Sequence, residues 1–187
     1  MRILENLEIK PCHMEILEML KNLPDRAKLL LISTIEKIPD EIGMRFVRYL
    51  EVGLEICSEC ESPIEKILYS AFDIVNYFRH DEFPEDVFVG VYPQFEIDGN
   101  GKTYRTDFLL EVIDKNNPNF DCYIVVECDG HEFHQKTKQQ VKRDNEREMA
   151  LKMLGYDVLR FSGTQIYENP MKCANDIYDY VLSKLEK

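Results

Sequence analysis

Acidic and histidine side chains crowd the end of one strand-forming segment, VVECDGHEFHQ, which spans residues 125–135. Glu127 and Asp129 close the run of strand formers, and His131 and His134 follow Gly130. Because side chains alternate along a strand, the two acids point to the same face. Carboxylates held this close repel each other, so the pair requires a proton or a cation to neutralise it.

A third acid, Asp107, lies in KTYRTDFLLEV, a segment predicted to pair beside the strand CYIVVECD at residues 122–129. We expect Asp107, Glu127 and Asp129 to converge, with the first two carboxylates within ~4–6 Å of a shared point. Oxygen ligands of this kind suit Mg²⁺ or Mn²⁺ better than zinc. Such an ion polarises a phosphoryl oxygen and lowers the pKa of bound water, as phosphodiester hydrolysis requires.

The elements that must position these acids change in type along the chain. Hydrophobic residues at three- and four-residue spacing predict helices first, then alternating segments predict strands. The predicted helices span residues 13–22, 25–38, 40–56, 62–78, 136–154 and 169–185, and the predicted strands span residues 87–97, 102–112, 122–129 and 156–163. DGNG at 98–101 is typical of a hairpin. This order predicts an α/β sandwich with a mixed central sheet of about four strands, flanked by helices.

Chain length and composition limit the class of protein. The 187 residues, 44% of them hydrophobic and 31% charged, predict one α/β domain at 62–187 with a helical N-terminal extension at 1–61. No hydrophobic run approaches the ~20 residues of a membrane span, and MRILENLEIK does not resemble a secretory signal. Six scattered cysteines favour reduced thiols. We therefore expect a cytoplasmic protein with no membrane association.

The net charge of −12 is unevenly spread. Residues 62–135 carry 15 acidic and 5 basic side chains, whereas residues 136–187 carry 10 basic and 8 acidic ones. The acids are therefore concentrated around the candidate site, and a basic segment follows directly. This distribution is that of a site which collects a cation, and equally that of a solvated acidic surface.

Several motifs in a fixed order resemble the PD-(D/E)xK nuclease superfamily, also called restriction-endonuclease-like. They are PQFEI, YRTDFLLEV, ECDGHEFH, KRDNEREMALKMLGY and VLRF, within residues 62–165. The closest likeness is to the small branch related to very-short-patch repair endonucleases. The resemblance implies a restriction-endonuclease-like fold and Mg²⁺- or Mn²⁺-dependent endonuclease activity on DNA. It also implies that Asp107 and Glu127 bind the metal and that Glu65 is the helical acid which some members add.

The sequence departs from the family pattern at residue 129. The family lysine, two residues after the second acid, is replaced by Asp129. An aspartate can hold a second ion or position water, but it cannot supply the positive charge. We expect that charge from His134 or Lys138, with His131, Lys136 and Lys142 as alternatives, because histidine titrates near neutral pH and lysine is cationic.

Polar and basic residues near the acids are candidates for contacts with nucleic acid. Gln94 precedes the hairpin, and the polar first half of the helix at 136–154 carries several cations. These are Lys136, Lys138, Lys142, Arg143 and Arg147. They suit backbone phosphates, but a solvated face with internal ion pairs explains them as well.

Each candidate acid also has a purely structural interpretation. Glu65 lies three residues after Ser62 and fits a capping box at the start of a helix. Asp107 suits a salt bridge to Arg105 or Arg160, and Asp129 with Gly130 suits a turn. Gln94 suits an edge strand.

Two other motifs are weaker. A zinc site from Cys57, Cys60 and Cys128 with the histidines is disfavoured, because Cys128 alternates away from Glu127. GNGKT ends like a phosphate-binding loop, but Glu96 stands where that motif needs its first glycine.

Three functions fit these observations. The first is a metal-dependent endonuclease acting on DNA. The second is a catalytically inactive nuclease-fold module that binds DNA or a partner, and the third is a phosphoesterase acting on a small nucleotide. The carboxylates favour the first and third, and the basic helix favours a polymeric substrate. The N-terminal helices are candidates for docking a second copy or a partner protein.

Overall fold

The computed structural model describes residues 23–117, 120, 122–130 and 137–185, apart from residues 36, 38 and 39. The predicted helix at 13–22 and three candidate site residues, His131, His134 and Lys136, lie outside this range. The helices are α1 (Asp25–Ile35), α2 (Asp40–Glu59), α3 (Pro63–Arg79), α4 (Lys138–Met153), α5 (Gly163–Glu168) and α6 (Pro170–Leu185). The strands are β1 (Val87–Pro93), β2 (Glu96–Gly99), β3 (Lys102–Arg105), β4 (Phe108–Asp114), β5 (Cys122–Asp129) and β6 (Asp157–Ser162).

The main sheet has four strands in the order β1-β4-β5-β6. β4 is antiparallel to both β1 and β5, and β6 runs parallel to β5 with α4 as the crossover. The sheet is therefore mixed and flanked by helices, which confirms the predicted α/β sandwich.

The two faces of the sheet are covered by different elements. On the first face, side chains such as Phe108, Ile124 and Val126 join one hydrophobic core with α1, α2, α3 and α6. On the second face, Leu109 and Val125 pack with Ile97 of β2 and Leu151 of α4 in a separate, smaller cluster. Because alternate residues serve alternate faces, β4 and β5 are hydrophobic almost throughout.

The predicted first two strands are each divided in two. The prediction of an unbroken strand at 102–112 was wrong. In the segment 87–97, the sequence predicts an interruption or a sheet edge at Pro93, and the chain leaves the main sheet there. Gln94 has a left-handed backbone with φ 53°, and β2 then pairs with β3 as a separate hairpin. Pro93 at the break agrees with the predicted interruption, since proline cannot donate to a ladder.

The hairpin turn itself follows the sequence signal. Asn100 and Gly101 both have positive φ, 54° and 73°, as the favoured two-residue hairpin turns require. GNGKT is thus a turn between two strands and not a phosphate-binding loop.

The N-terminal helices share the main core. Leu31 of α1, Phe46 and Leu50 of α2 and Ile67 of α3 are all almost fully buried in the same cluster. The division into an extension at 1–61 and a domain at 62–187 stays a prediction. Within the described residues, no helix is long and hydrophobic enough to cross a membrane.

A buried acid lies where α2 meets α3. Asp73 of α3 is only 8% exposed and accepts a hydrogen bond from the Tyr49 hydroxyl of α2. A Cβ at Gly53 would lie 2.1 Å from the Asp73 Oδ2, so the close approach of α2 depends on a residue without a side chain. Burial raises the pKa of Asp73 to about 7, and the Tyr49 bond offsets part of that rise.

Asp73→Asn should increase the free energy of unfolding by about 2–4 kcal/mol near pH 8 and change it little near pH 4. The folded-state pKa of Asp73 lies above that of an unfolded aspartate. The native state therefore binds the extra proton between these two pKa values, and its stability falls as the pH rises through that window. Urea titrations at both pH values measure the effect, with the exposed Asp98→Asn as control. An equal effect of Asp73→Asn at both pH values would contradict the assignment.

Candidate active site

The pairing of β4 with β5 brings two of the candidate acids side by side. Phe108 lies opposite Val126, so Asp107, directly before β4, lies beside Glu127 of β5. Alternation along the strands places both acids, together with Asp129, on the second face. The sequence predicted Asp107 within a strand. In the structure it lies directly before β4, where the chain is still turning out of the hairpin.

Asp107 carries the clearest electrostatic signature of the site. The pKa of its carboxyl is raised to about 6, mainly by burial and in addition by the negative charges of Glu127 and Glu65. The backbone N–H of Cys128 donates to Oδ2 at 2.6 Å and opposes this rise, as does the positive charge of Arg147. Glu127 and Glu65 therefore both lie close enough to Asp107 for their charges to repel its own.

Glu127 is buried and only partly neutralised. Arg147 of α4 donates from Nη1 to the Glu127 Oε2 at 2.7 Å and from Nη2 to the backbone carbonyl of Arg105. Burial is the largest single influence and would lower the pKa of Arg147, but the bond to Glu127 together with the negative charges of Glu127, Asp107 and Asp144 raises that pKa. The second oxygen, Oε1, is buried and has no hydrogen-bond partner among the described residues. One carboxylate oxygen is thus held by a cation, and the other is buried without a partner among the described residues.

Asp129, at the position of the family lysine, is balanced from the neighbouring strand. Arg160 of β6 lies opposite Glu127 in the parallel register and approaches the Asp129 Oδ2 at 3.4 Å. Its Nη2 also lies 3.7 Å from the Glu148 Oε2 of α4. Two arginines therefore supply positive charge beside these acids, Arg147 from α4 and Arg160 from β6. The sequence predicted a lysine or a histidine for this purpose.

Glu65 is tied to the acids by Gln94. The Glu65 Oε2 accepts from the backbone N–H of Glu61 at 2.9 Å and from the Gln94 Nε2 at 2.7 Å. The predicted capping box is only half correct: Ser62 accepts from the N–H of Glu65, but the Glu65 carboxylate reaches Glu61 and not Ser62. The backbone N–H of Gln94 donates in turn to the Asp107 carbonyl at 2.9 Å.

The other predicted cations lie away from these contacts. Lys138 begins α4 after the N-cap Thr137 and is exposed, as are Lys142 and Arg143. Lys142 lies 3.7 Å from the Glu146 carboxylate one turn later. Among the described residues, no hydrogen bond or ion pair joins Lys138 to Asp107 or Glu127. Lys138 therefore lies outside the network that surrounds the acids, and its catalytic role stays a prediction.

Arg147 does not lie where its polar surroundings in the sequence predict. These indicate a cation that faces backbone phosphates, but the side chain turns inward to Glu127. Leu151, one turn later, is buried against the second face, and residues four apart share a face of a helix. That spacing was the available signal.

No group of three histidine, cysteine or acidic side chains in the described part of the chain is arranged to hold a metal ion. The single metal-binding cluster of three carboxylates that the sequence predicted is therefore not seen in this part of the chain, where Asp129 is paired with Arg160 and one oxygen of Glu127 with Arg147. The same holds for the zinc alternative. Cys57 and Cys60 are buried in the main core, and Cys128 packs towards that core, as its alternation with Glu127 predicted.

Residues 91–181 match the family model REase_MTES_1575, a restriction-endonuclease-like family. The matched segment runs from β1 into α6 and includes Asp107, Glu127, Arg147 and Arg160. It covers 91 of the 187 residues and excludes Glu65 and the N-terminal helices. The match supports a restriction-endonuclease-like nuclease. The likeness to very-short-patch repair endonucleases stays a prediction. No curated protein and no solved structure gives a significant match to the chain.

Arg147→Met should lower the free energy of unfolding by about 2–3 kcal/mol, because it leaves the Glu127 charge buried without a cation. The expected loss is below that of a fully buried pair, since the Arg147 side chain is 28% exposed. Adding Glu127→Gln to this variant should restore part of the loss. Urea titrations of the two single variants and the double variant give the coupling energy. Lys142→Met, which removes an exposed pair on the same helix, is the control, and additive effects at 127 and 147 would rule out the coupling.

Proposed function

We propose that the protein is a metal-dependent endonuclease that hydrolyses phosphodiester bonds of DNA. The observation that carries this proposal is the buried Glu127 carboxylate beside Asp107. One of its oxygens is fixed by Arg147, and the other has no partner among the described residues. A buried charge left in this state favours a cation at that point. The match of this segment to a nuclease family supports the same reading.

The donor set suits Mg²⁺ or Mn²⁺. Asp107 and Glu127 would hold the ion, and Glu65 is placed within electrostatic range of Asp107 through Gln94. Mg²⁺ is commonly bound through one or two carboxylates, with substrate phosphates and water completing its coordination, so a cage of three side chains is not needed. When bound, such an ion supplies charge to the phosphoryl oxygens and acidifies a water molecule.

The arginines would replace the charge of the missing lysine. A guanidinium group holds positive charge but does not act as a proton acceptor, so Arg147 and Arg160 can each stabilise developing negative charge. The Asp129 carboxylate, which Arg160 approaches, would orient the attacking water or accept its proton. His134 is the alternative proton acceptor that the sequence provides.

The exposed cations of α4 would hold the DNA backbone. Lys138, Lys142 and Arg143 are exposed at the beginning of the helix whose later turns deliver Arg147 to the acids. Phosphate contacts at these positions would orient a strand along α4. Gln94 stands on the other side of Asp107 and would position the strand there, while its side-chain amide steadies Glu65. The arrangement favours a polymer over a small nucleotide.

One observation favours the inactive-module alternative. The Glu127–Arg147 pair already neutralises much of the charge that would attract a metal. A fold that kept this pair for stability alone would bind DNA through α4 without cutting it. The cleavage experiment below separates the two functions.

Asp107→Asn and Glu127→Gln should each abolish Mg²⁺- or Mn²⁺-dependent nicking of plasmid DNA while leaving the fold intact. Each removes one ligand charge, and the Arg147 guanidinium that Glu127→Gln leaves without its carboxylate is 28% exposed and can be solvated. Plasmid and single-stranded DNA are incubated with Mg²⁺, Mn²⁺ or EDTA, and far-UV circular dichroism checks folding. Glu111→Gln is the matched control, because Glu111 lies on β4 but hydrogen-bonds Tyr92 instead of the acids. A parental rate in either site variant would remove that residue from the metal site.

Arg147→Lys should slow turnover by on the order of 10²-fold or more with little change in DNA affinity. A lysine cannot make both the contact to Glu127 and the contact to the Arg105 carbonyl, and the charge of Arg147 would act mainly on the transition state. Lys142→Ala should instead weaken binding and lower the slope of log affinity against log salt by about one. Single-turnover rates and binding at two salt concentrations distinguish these effects.

His134→Ala and Lys138→Ala test the two candidates for proton transfer. A loss of ~10²–10⁴-fold in turnover at either would identify that residue as the proton-transfer group.

A further inference from the structure

A cavity of about 240 Å³ lies between α2, α3 and β1, on the sheet face opposite the candidate active site. Its walls are mostly hydrophobic and aromatic, and its polar groups are few. The residues that decide its chemistry are Tyr49, Val52, Tyr69, Phe72, Asp73 and Asn76. None of the acids or arginines of the candidate active site lines it. A pocket of this composition, with a few converging polar groups, is typical of a small-molecule site.

The polar groups of the cavity form a chain that ends on a carboxylate. The Asn76 Nδ2 donates to the Tyr49 hydroxyl at 2.8 Å, and that hydroxyl donates to Asp73. Asp73 is 8% exposed, and no ion pair neutralises it among the described residues. Its position is fixed on the α2 side, because the Gly53 backbone lies directly against its Oδ2. Among the described residues, the carboxylate at the cavity wall is therefore buried, held by the Tyr49 hydroxyl, and not paired with a cation.

We propose that this cavity binds a small organic ammonium ion. The ammonium group pairs with the Asp73 carboxylate, and the hydrocarbon body packs against the rings of Tyr69 and Phe72. A cation beside aromatic rings gains from their quadrupoles, and a buried carboxylate gains from a cation that replaces lost solvation.

The same features disfavour other ligand classes. A hard metal ion needs several oxygen ligands, whereas the cavity offers one carboxylate among hydrophobic walls. An anion would be repelled by Asp73, and a neutral molecule would leave its charge uncompensated. The volume fits a ring with a short amine chain, since a cavity of about 150 Å³ accepts benzene.

The probe is 2-phenylethylamine, titrated calorimetrically into the full-length protein near pH 8. Asp73 is largely ionised there, because its pKa is about 7. We expect saturable 1:1 binding with a dissociation constant near or below ~1 mM. 2-Phenylethanol, which has the same shape without the charge, should bind at least about tenfold more weakly.

Two variants locate the site. Asp73→Asn should weaken binding of the amine about tenfold or more while leaving binding of the alcohol nearly unchanged, since only the charge is removed. Val52→Trp places a large ring at an exposed position of the cavity mouth and should block both probes. Because residue 52 is 60% exposed, this variant tests the site without disturbing the core. Asp98→Asn, an exposed acid on the hairpin, should bind like the parent.

Three results would contradict binding of an ammonium ion in this cavity. Absence of saturable binding up to about 10 mM amine overturns the proposal, as does equal affinity for the amine and the alcohol. Amine binding that survives both Asp73→Asn and Val52→Trp places the ligand elsewhere and also overturns it. The result does not depend on nuclease activity, since no residue of the active site takes part.

Discussion

The buried charge of Glu127 is the constraint on which the arrangement of the second face depends. A carboxylate at the end of a hydrophobic strand needs a cation, and Arg147 reaches it from a helix 20 residues later. The same guanidinium binds the Arg105 carbonyl at the end of the hairpin. One side chain therefore joins β5, α4 and the hairpin at the point where the acids meet, and it holds the helix in one orientation over the sheet.

The hairpin and α4 cover the second face of the sheet, one part of which is hydrophobic and the other charged. In the hydrophobic part, Ile97 of the hairpin and Leu151 of α4 pack on Leu109 and Val125. One turn nearer the beginning of α4, the helix presents Arg147 instead of a hydrophobic residue. The cover changes from hydrophobic to charged where β4 begins and β5 ends, since these two points are adjacent in the antiparallel pair. The acids therefore lie where the cover of the second face changes from hydrophobic to charged.

Local patterns in the sequence predicted the elements but not the contacts between them. The bounds of β5, the Asn100–Gly101 turn and the mixed sheet follow from alternation and turn chemistry. The exit of the chain after Pro93 and the partners of Glu65 do not, because they depend on residues about 30 positions apart. The inward direction of Arg147 was obscured because α4 is polar nearly all round. Only its spacing from Leu151 indicated the buried face.

Asp129 stands where the nucleases that the sequence resembles carry a lysine, and the positive charge at this position comes from neighbouring elements instead. A lysine on β5 would bring its charge along the same strand as Glu127. Here Arg160 brings it across from β6 to Asp129, and Arg147 brings it down from α4 to Glu127. Guanidinium groups hold charge but do not exchange protons near neutral pH. In the proposed reaction, the charge-stabilising and proton-transferring roles that one lysine can combine would be divided, with the arginines in the first role and Asp129 or a histidine in the second.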